Sequence, residues 1–236
     1  MSKLRELYKH EIEELTAASR LLGNKGLTSS VGGNLSFRVS SEHILVTPTN
    51  VPKDQVTEEK ICIIDYDGNI VDAPRGVSPT SETPFHTMII RNRDDAISSV
   101  HAHCTVLSAF AITATPWLEK PFFPEPMMEI GPIVTVPYVE PSCEKLAEEI
   151  RKVIHKSNGF LLQNHGALAI STSSPFDAVE KLNMMESIAT SIYMAISMGA
   201  PKMLTYQEAE EIERLQEVKG LKTSIDPITK GFQFSL

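Results

Sequence analysis

The chain has 236 residues, 42% of them hydrophobic, and 30 Asp and Glu against 22 Lys and Arg give a formal net charge of −8. That length and apolar share support one sizeable α/β core. The acidic balance argues against a nucleic-acid or anionic-membrane partner, since neither gains from basic steering or counterion release here. A small anionic substrate is still compatible, provided a metal or backbone amides supply local positive potential. Cys62, Cys104 and Cys143 are odd in number and form no C-x-x-C pair, the pattern of reduced thiols in a cytoplasmic protein. Neither a signal peptide nor an apolar run of about 18 residues is visible, so no membrane span is expected.

Leu4, Leu7, Ile12, Leu15, Ala18 and Leu22 recur at helical spacing, which predicts one amphipathic helix over 3–22 ending near Gly23-Asn24. From Asn34 the pattern alternates, predicting a strand. The Gly32-Gly33-Asn34 turn before it has two readings. It is an ordinary hairpin turn, or its glycines aim backbone N–H groups at an anion. Neither glycine fingerprint for nucleotide binding is present. Residues 43–47 and 61–65 read as further strands, separated by the proline-bracketed loop Pro48-Thr49-Asn50-Val51-Pro52. Tyr66-Asp67-Gly68-Asn69 is a hairpin turn into Ile70-Val71. The first third is thus a helix followed by an antiparallel meander.

Thr80-Ser81-Glu82 opens a helix to about Asn92, with Ser81 as the expected N-cap and Pro84 in the first turn. Glu82 reads as a first-turn carboxylate that suits the helix dipole. Alternatively, the Thr80 and Ser81 hydroxyls and free amides make this N-terminus a phosphate site. His86 reads as a packed histidine. Residues 96–103 read as a strand with Ile97, Ser99, His101 and His103 on one face. Two histidines so placed lie about 6–7 Å apart at Cα, which suits two imidazoles on one metal ion. A zinc site takes three or four ligands, so the pair needs company. Cys104 reads as a small core residue rather than a third ligand.

The stretch 115–131, rich in proline and aromatic residues, is expected to have little regular structure and to cover a pocket or a neighbouring subunit. A strand follows at 133–137, then a helix capped by Ser142 to about His155. Two short strands surround Asn164-His165-Gly166, which makes His165 a candidate third ligand at a strand end. A long helix runs from Ser174-Pro175 to about Met198, and Thr205-Tyr206-Gln207-Glu208 is a capping box for a last helix to about Lys219. One domain over 1–236 is expected, with 221–236 as a flexible tail.

Gly32-Gly33-Asn34-Leu35-Ser36, Thr47-Pro48-Thr49-Asn50, Thr80-Ser81-Glu82, His101-Ala102-His103 and Gln163-Asn164-His165-Gly166 stand in an order and spacing that resemble the class II aldolase/adducin family, near its fuculose-1-phosphate aldolase branch. The likeness runs from about Leu4 to Leu215. It implies a three-layer α/β/α sandwich around a largely antiparallel central sheet. It also implies a homotetramer with active sites at subunit interfaces. His101, His103 and His165 are the implied metal ligands, and Glu82 the implied acid/base, which can also coordinate the metal. Gly33, Asn34, Thr49, Asn50, Thr80 and Ser81 are the implied phosphate pocket. The implied cofactor is one divalent ion per subunit, Zn²⁺ first, with Mn²⁺, Co²⁺ or Fe²⁺ as alternatives.

The implied reaction is cleavage of a ketose 1-phosphate to dihydroxyacetone phosphate and an aldehyde, with the metal stabilising an enediolate. Sugar-phosphate epimerase, methylthioribulose-1-phosphate-type dehydratase and sugar-acid phosphate decarboxylase chemistry are alternatives on the same site. A non-catalytic adducin-like scaffold is disfavoured, because all three histidines are present. Three positions depart from fuculose-1-phosphate aldolase. The stretch expected to donate a tyrosine to a neighbouring subunit reads Phe122-Phe123-Pro124-Glu125-Pro126, a second tyrosine is missing near Lys219-Gly220, and Asn50 replaces a glycine. Glu125, Glu129 or a water is left as proton donor, and fuculose 1-phosphate itself is not the expected substrate.

Overall fold

The computed structural model describes residues 2–113, 115–218 and 225–234. Among them, eight strands form one sheet: β1 (Asn34–Arg38), β2 (His43–Val46), β3 (Cys62–Asp65), β4 (Ile70–Asp72), β5 (Ser98–Ala102), β6 (Val134–Val136), β7 (Gly159–Leu162) and β8 (Gly166–Ser171). The order is β4-β3-β2-β1-β5-β8-β7-β6. Neighbours are antiparallel except β6 and β7, which run parallel. The expected meander is β1 to β4.

The strand period of two sorts side chains between the two faces of the sheet. Leu35, Phe37, Leu45, Ile63, Val100, Leu161 and Ala169 share one core with side chains of α2 (Lys9–Asn24), α4 (Thr105–Thr113) and α7 (Pro175–Met198). Phe160, Leu162, Leu168 and Ile170 face the other way and pack with α3 (Thr83–Asn92) and α6 (Glu144–Arg151). This is the three-layer α/β/α arrangement. On β5 the alternation puts Val100 and Ala102 in the first core and leaves Ser99 and His101 on the α3 side.

Several local expectations are corrected. The first helix is two, α1 (Lys3–Leu7) and α2, broken at Tyr8. Tertiary contacts override the continuous pattern there. The Tyr8 hydroxyl bonds Ser40 Oγ and His43 Nδ1 at 3.1 and 3.0 Å, while Arg5 reaches Asp72 and the Ile61 and Glu58 carbonyls. Ser81 does not cap α3. Glu82 holds the N-cap position, its N–H bonds Thr80 Oγ1, and Ser81 Oγ meets Ser142 Oγ at 3.0 Å. Ser142 in turn does not cap α6, because Cys143 stands at that position and Ser142 has φ +61°.

The stretch 115–131 is more regular than expected, with a 3₁₀ turn at Pro116–Glu119 and the helix α5 (Pro124–Glu129), each opened by a proline that suits a first turn. Helix α7 is capped by Ser174, and α8 (Tyr206–Val218) by the Thr205–Glu208 box, as read from the sequence. In the tail, Ile225, Ile228 and Phe232 are buried. The turn of helix α9 (Ile228–Gly231) and Phe232 bury Ile228 and Phe232 against Met127, Ala209 and Ile212. Residues 221–224, 235 and 236 lie outside the described residues, as does Lys219. Among the described residues no helix is long and apolar enough to cross a membrane.

Candidate active site

The centre lies where β1, β5 and the β7–β8 turn meet the start of α3. Asn34 of β1 pairs in register with His101 of β5. The preceding Gly33 has φ +77°, and a Cβ there would sit 3.0 Å from the His101 carbonyl oxygen. His103 follows just beyond the end of β5. His165 is carried by the β7–β8 turn, where Asn164 takes φ +56°. Gly166 closes that turn, and a Cβ on it would lie 2.8 Å from His103 Cδ2 and 2.7 Å from the Ala102 carbonyl oxygen. Only glycine lets the turn approach the histidines this closely.

One ring nitrogen from each of His101, His103 and His165 lies within 4.8 Å of the others. His101 Nδ1 donates to the Ala167 carbonyl at 2.9 Å, which leaves the Nε2 lone pair facing inward. That atom stands 3.1 Å from His103 Nε2. Burial, followed by the neighbouring imidazoles, pushes His101 down to about 3 and His165 to about 4. Protonation of His101 and His165 is therefore disfavoured near neutral pH, which leaves these two rings able to bind a cation. Three convergent imidazoles fit a divalent ion with open positions. Cys104 is outside this set. It is buried in the apolar core, and burial pushes its thiol far above the usual range.

Glu82, 5% exposed, stands beside the imidazoles. Its Oε2 is 3.4 Å from His101 Nε2 and its Oε1 3.4 Å from His165 Nε2. Oε2 accepts a hydrogen bond from Asn34 Nδ2 at 2.8 Å, while buried Oε1 and His165 Nδ1 have no hydrogen-bond partner. Behind Asn34 lies His86, fully buried, with Nε2 2.6 Å from Asn34 Oδ1 and Nδ1 2.7 Å from Ser99 Oγ. Burial pushes His86 down to about 3, so its ring is neutral.

A cavity of about 220 Å³ opens from this centre. Gly33, Asn34, Thr49, Asn50, Thr80 and Ser81 line it together with Glu82, His103 and His165; His101 sits behind them. Asn50 has φ +56°, a left-handed conformation that asparagine tolerates, so it serves where a glycine was expected. The expectation of free helix amides narrows. The N–H groups of Thr49, Thr80, Glu82 and Thr83 already bond Ser78, Thr47 and Thr80. Those of Gly33, Asn50 and Ser81 donate to no protein acceptor among the described residues. Pro141 and Ser142 also line the cavity, a role hidden in the sequence by the reading of Ser142 as a cap. Glu125 and Glu129 are absent from this lining, as is any tyrosine of the chain's described residues. A larger cavity of about 500 Å³, beside Arg5, Lys9, Glu58 and Asp72, shares none of these residues and gathers no histidine.

The class II aldolase and adducin N-terminal domain matches residues 13–193. The chain therefore belongs to the class II aldolase/adducin family. It is 28% identical to a 3-oxo-tetronate 4-phosphate decarboxylase of Haemophilus influenzae, over 85% of this chain and 95% of that protein. It is 31% identical to an L-fuculose phosphate aldolase of Methanococcus maripaludis, over 78% of this chain and 97% of that one. Its fold matches the solved structure of an L-fuculose 1-phosphate aldolase with a TM-score of 0.77 and 26% identity, covering 89% of this chain and 96% of the other.

Proposed function

We propose that the chain is a metal-dependent carbon–carbon lyase that cleaves a ketose 1-phosphate, such as a deoxyketose 1-phosphate, to dihydroxyacetone phosphate and an aldehyde. One observation carries this reading. The buried carboxylate of Glu82 stands 3.4 Å from two of three convergent imidazoles, at the wall of a cavity that also presents hydroxyls and uncommitted amides. A divalent ion held by His101, His103 and His165, with Zn²⁺ the first candidate, would supply Lewis-acid polarisation of the substrate ketone.

The phosphate is held by the Gly33, Asn50 and Ser81 amides and the Thr49 and Thr80 hydroxyls, which suits an acidic chain with no lysine in the cavity lining. Asn34 lines the same pocket with its amide turned to Glu82. Glu82 serves two steps in turn. It takes the C4 hydroxyl proton as the C3–C4 bond breaks and C4 becomes the aldehyde. It then returns that proton to C3 of the three-carbon fragment.

A second reading follows from the decarboxylase relative. Loss of the carboxyl carbon of a 3-oxo-tetronate 4-phosphate as CO₂ leaves the same fragment, dihydroxyacetone phosphate. That reaction returns a proton to carbon but removes none from a hydroxyl, so a site without a tyrosine suits it. Both readings meet in the enediol form of one product. The test is proton exchange on dihydroxyacetone phosphate alone in D₂O, followed by ¹H NMR with the zinc-loaded protein. Assays on a ketose 1-phosphate panel and on 3-oxo-tetronate 4-phosphate then separate the readings. Aldehyde release supports the first, CO₂ release supports the second, and silence in all three assays rejects both. A cytoplasmic homotetramer is the proposed assembly, and light scattering tests its size.

A further inference from the structure

We propose that His86 is a positioning residue, which locks the Asn34 side-chain amide so that its N–H, and not its carbonyl, faces Glu82. The inference rests on the reading of Glu82 as the group that moves the proton. An asparagine amide has two ends of similar shape and opposite character. Turned one way, Nδ2 donates to the Glu82 carboxylate at 2.8 Å. Turned the other way, two acceptor oxygens would meet at that distance inside a buried site, and Glu82 would be pushed from its place. Something must therefore distinguish the two orientations.

His86 does so through the tautomer it is given. Asn34 Oδ1 can only accept, so His86 Nε2, 2.6 Å away, must be the donor. His86 Nδ1 is then an acceptor and needs a donor, which Ser99 Oγ supplies at 2.7 Å. The Ser99 oxygen accepts from Ser36 Oγ, also at 2.7 Å. The series runs in one direction from Ser36 through Ser99, His86 and Asn34 to Glu82. Four of its five residues come from places the fold makes rigid: Asn34 and Ser36 from β1, Ser99 from β5, and His86 from α3. Ser36, Ser99 and His86 are 0% exposed, so no water competes for the bonds among these three. His86 itself lines no part of the cavity and offers no nitrogen to the three-histidine group.

The test compares His86→Phe, His86→Gln and Ser99→Ala as zinc-loaded full-length proteins, with Glu82→Gln beside them. The probe is deuterium exchange into dihydroxyacetone phosphate, read as separate kcat and KM values, together with zinc content. His86→Phe fills the space but neither donates nor accepts. It is expected to lower kcat by about 10–100-fold, the range for residues that orient a reacting group, with KM and zinc content nearly unchanged. His86→Gln keeps one donor and one acceptor and is expected to recover most of the rate. Ser99→Ala removes the donor to Nδ1, loses less, and replaces His86→Phe as the deciding variant if that protein does not fold.

A full kcat in the deciding variant, or a His86→Gln rate as low as that of His86→Phe, overturns the proposal. Full exchange by Glu82→Gln overturns it together with the reading of Glu82. Loss of exchange in Glu82→Gln with none in His86→Phe overturns the positioning role alone.

Discussion

Helix α3 has a buried charged residue at each end, Glu82 at its start and Arg93 at its finish. Every face of the Arg93 guanidinium is answered by protein. Nε and Nη2 meet Asp95 at 2.9 and 2.7 Å, Nη1 meets the Ile154 and Ser157 carbonyls at 3.2 Å, and Nη2 also meets Asn158 Oδ1 at 2.9 Å. At the other end Glu82 is answered on one oxygen only, and three imidazoles turn toward one another. Leaving buried polar atoms unanswered is costly, by about 1–3 kcal/mol each. A chain that fully satisfies one end of a helix and leaves the other open is keeping that end for something that arrives. Closed polar clusters hold structure, and open ones accept ligands.

The sharpest way to break this contrast is at the open end. His101→Ala removes a proposed ligand and is expected to abolish metal binding and turnover together; elemental analysis returning one ion per chain would reject the ligand role. Glu82→Gln is expected to keep the ion but lose about 10²–10⁴-fold in kcat, the span for a group that moves a proton. An unchanged rate would remove Glu82 from the chemistry. Arg93→Met acts at the closed end and should do the opposite. It leaves the Ile154 and Ser157 carbonyls and Asn158 Oδ1 without their donor, so urea unfolding is expected to show a loss of about 3 kcal/mol, with kcat of the folded protein unchanged. A change in kcat without a change in stability would make the two ends alike.

The smallest effect per step is in pH. His86 and His101 titrate near 3 when folded, against an ordinary value of 6.5. The unfolded chain thus binds their protons first, and stability is complete above about pH 6.5. It should fall between there and pH 3 by about 1.4 kcal/mol per pH unit for each group. Thermal melts of metal-stripped protein read this slope, and His86→Gln should reduce it by one proton.

The pairing of His101 and His103 is legible in the sequence from strand spacing, whereas His165 is only a candidate there and joins them through the family resemblance. The face shared by Ser99 and His101 follows from strand alternation. The role of His86 is not legible, because its partners Asn34 and Ser99 lie 52 and 13 residues away and no local pattern joins them. The same limit hid the break at Tyr8, which depends on Ser40 and His43, and the packing of Phe232 under α8. Ser142 shows a different failure. A serine before a helical run reads as a cap, but its φ of +61° turns it out of that role and into the cavity wall.

The strand order has a further consequence for how the chain is made. Strand β5 takes β1 on one side and β8 on the other, so the middle of the sheet joins segments remote in sequence. Such pairings form slowly, because chain entropy is lost before the contacts reward it. A chain emerging from the ribosome carries Glu82, His101 and His103 well before His165. His165, in the turn before β8, is therefore the last side chain of the centre to be made.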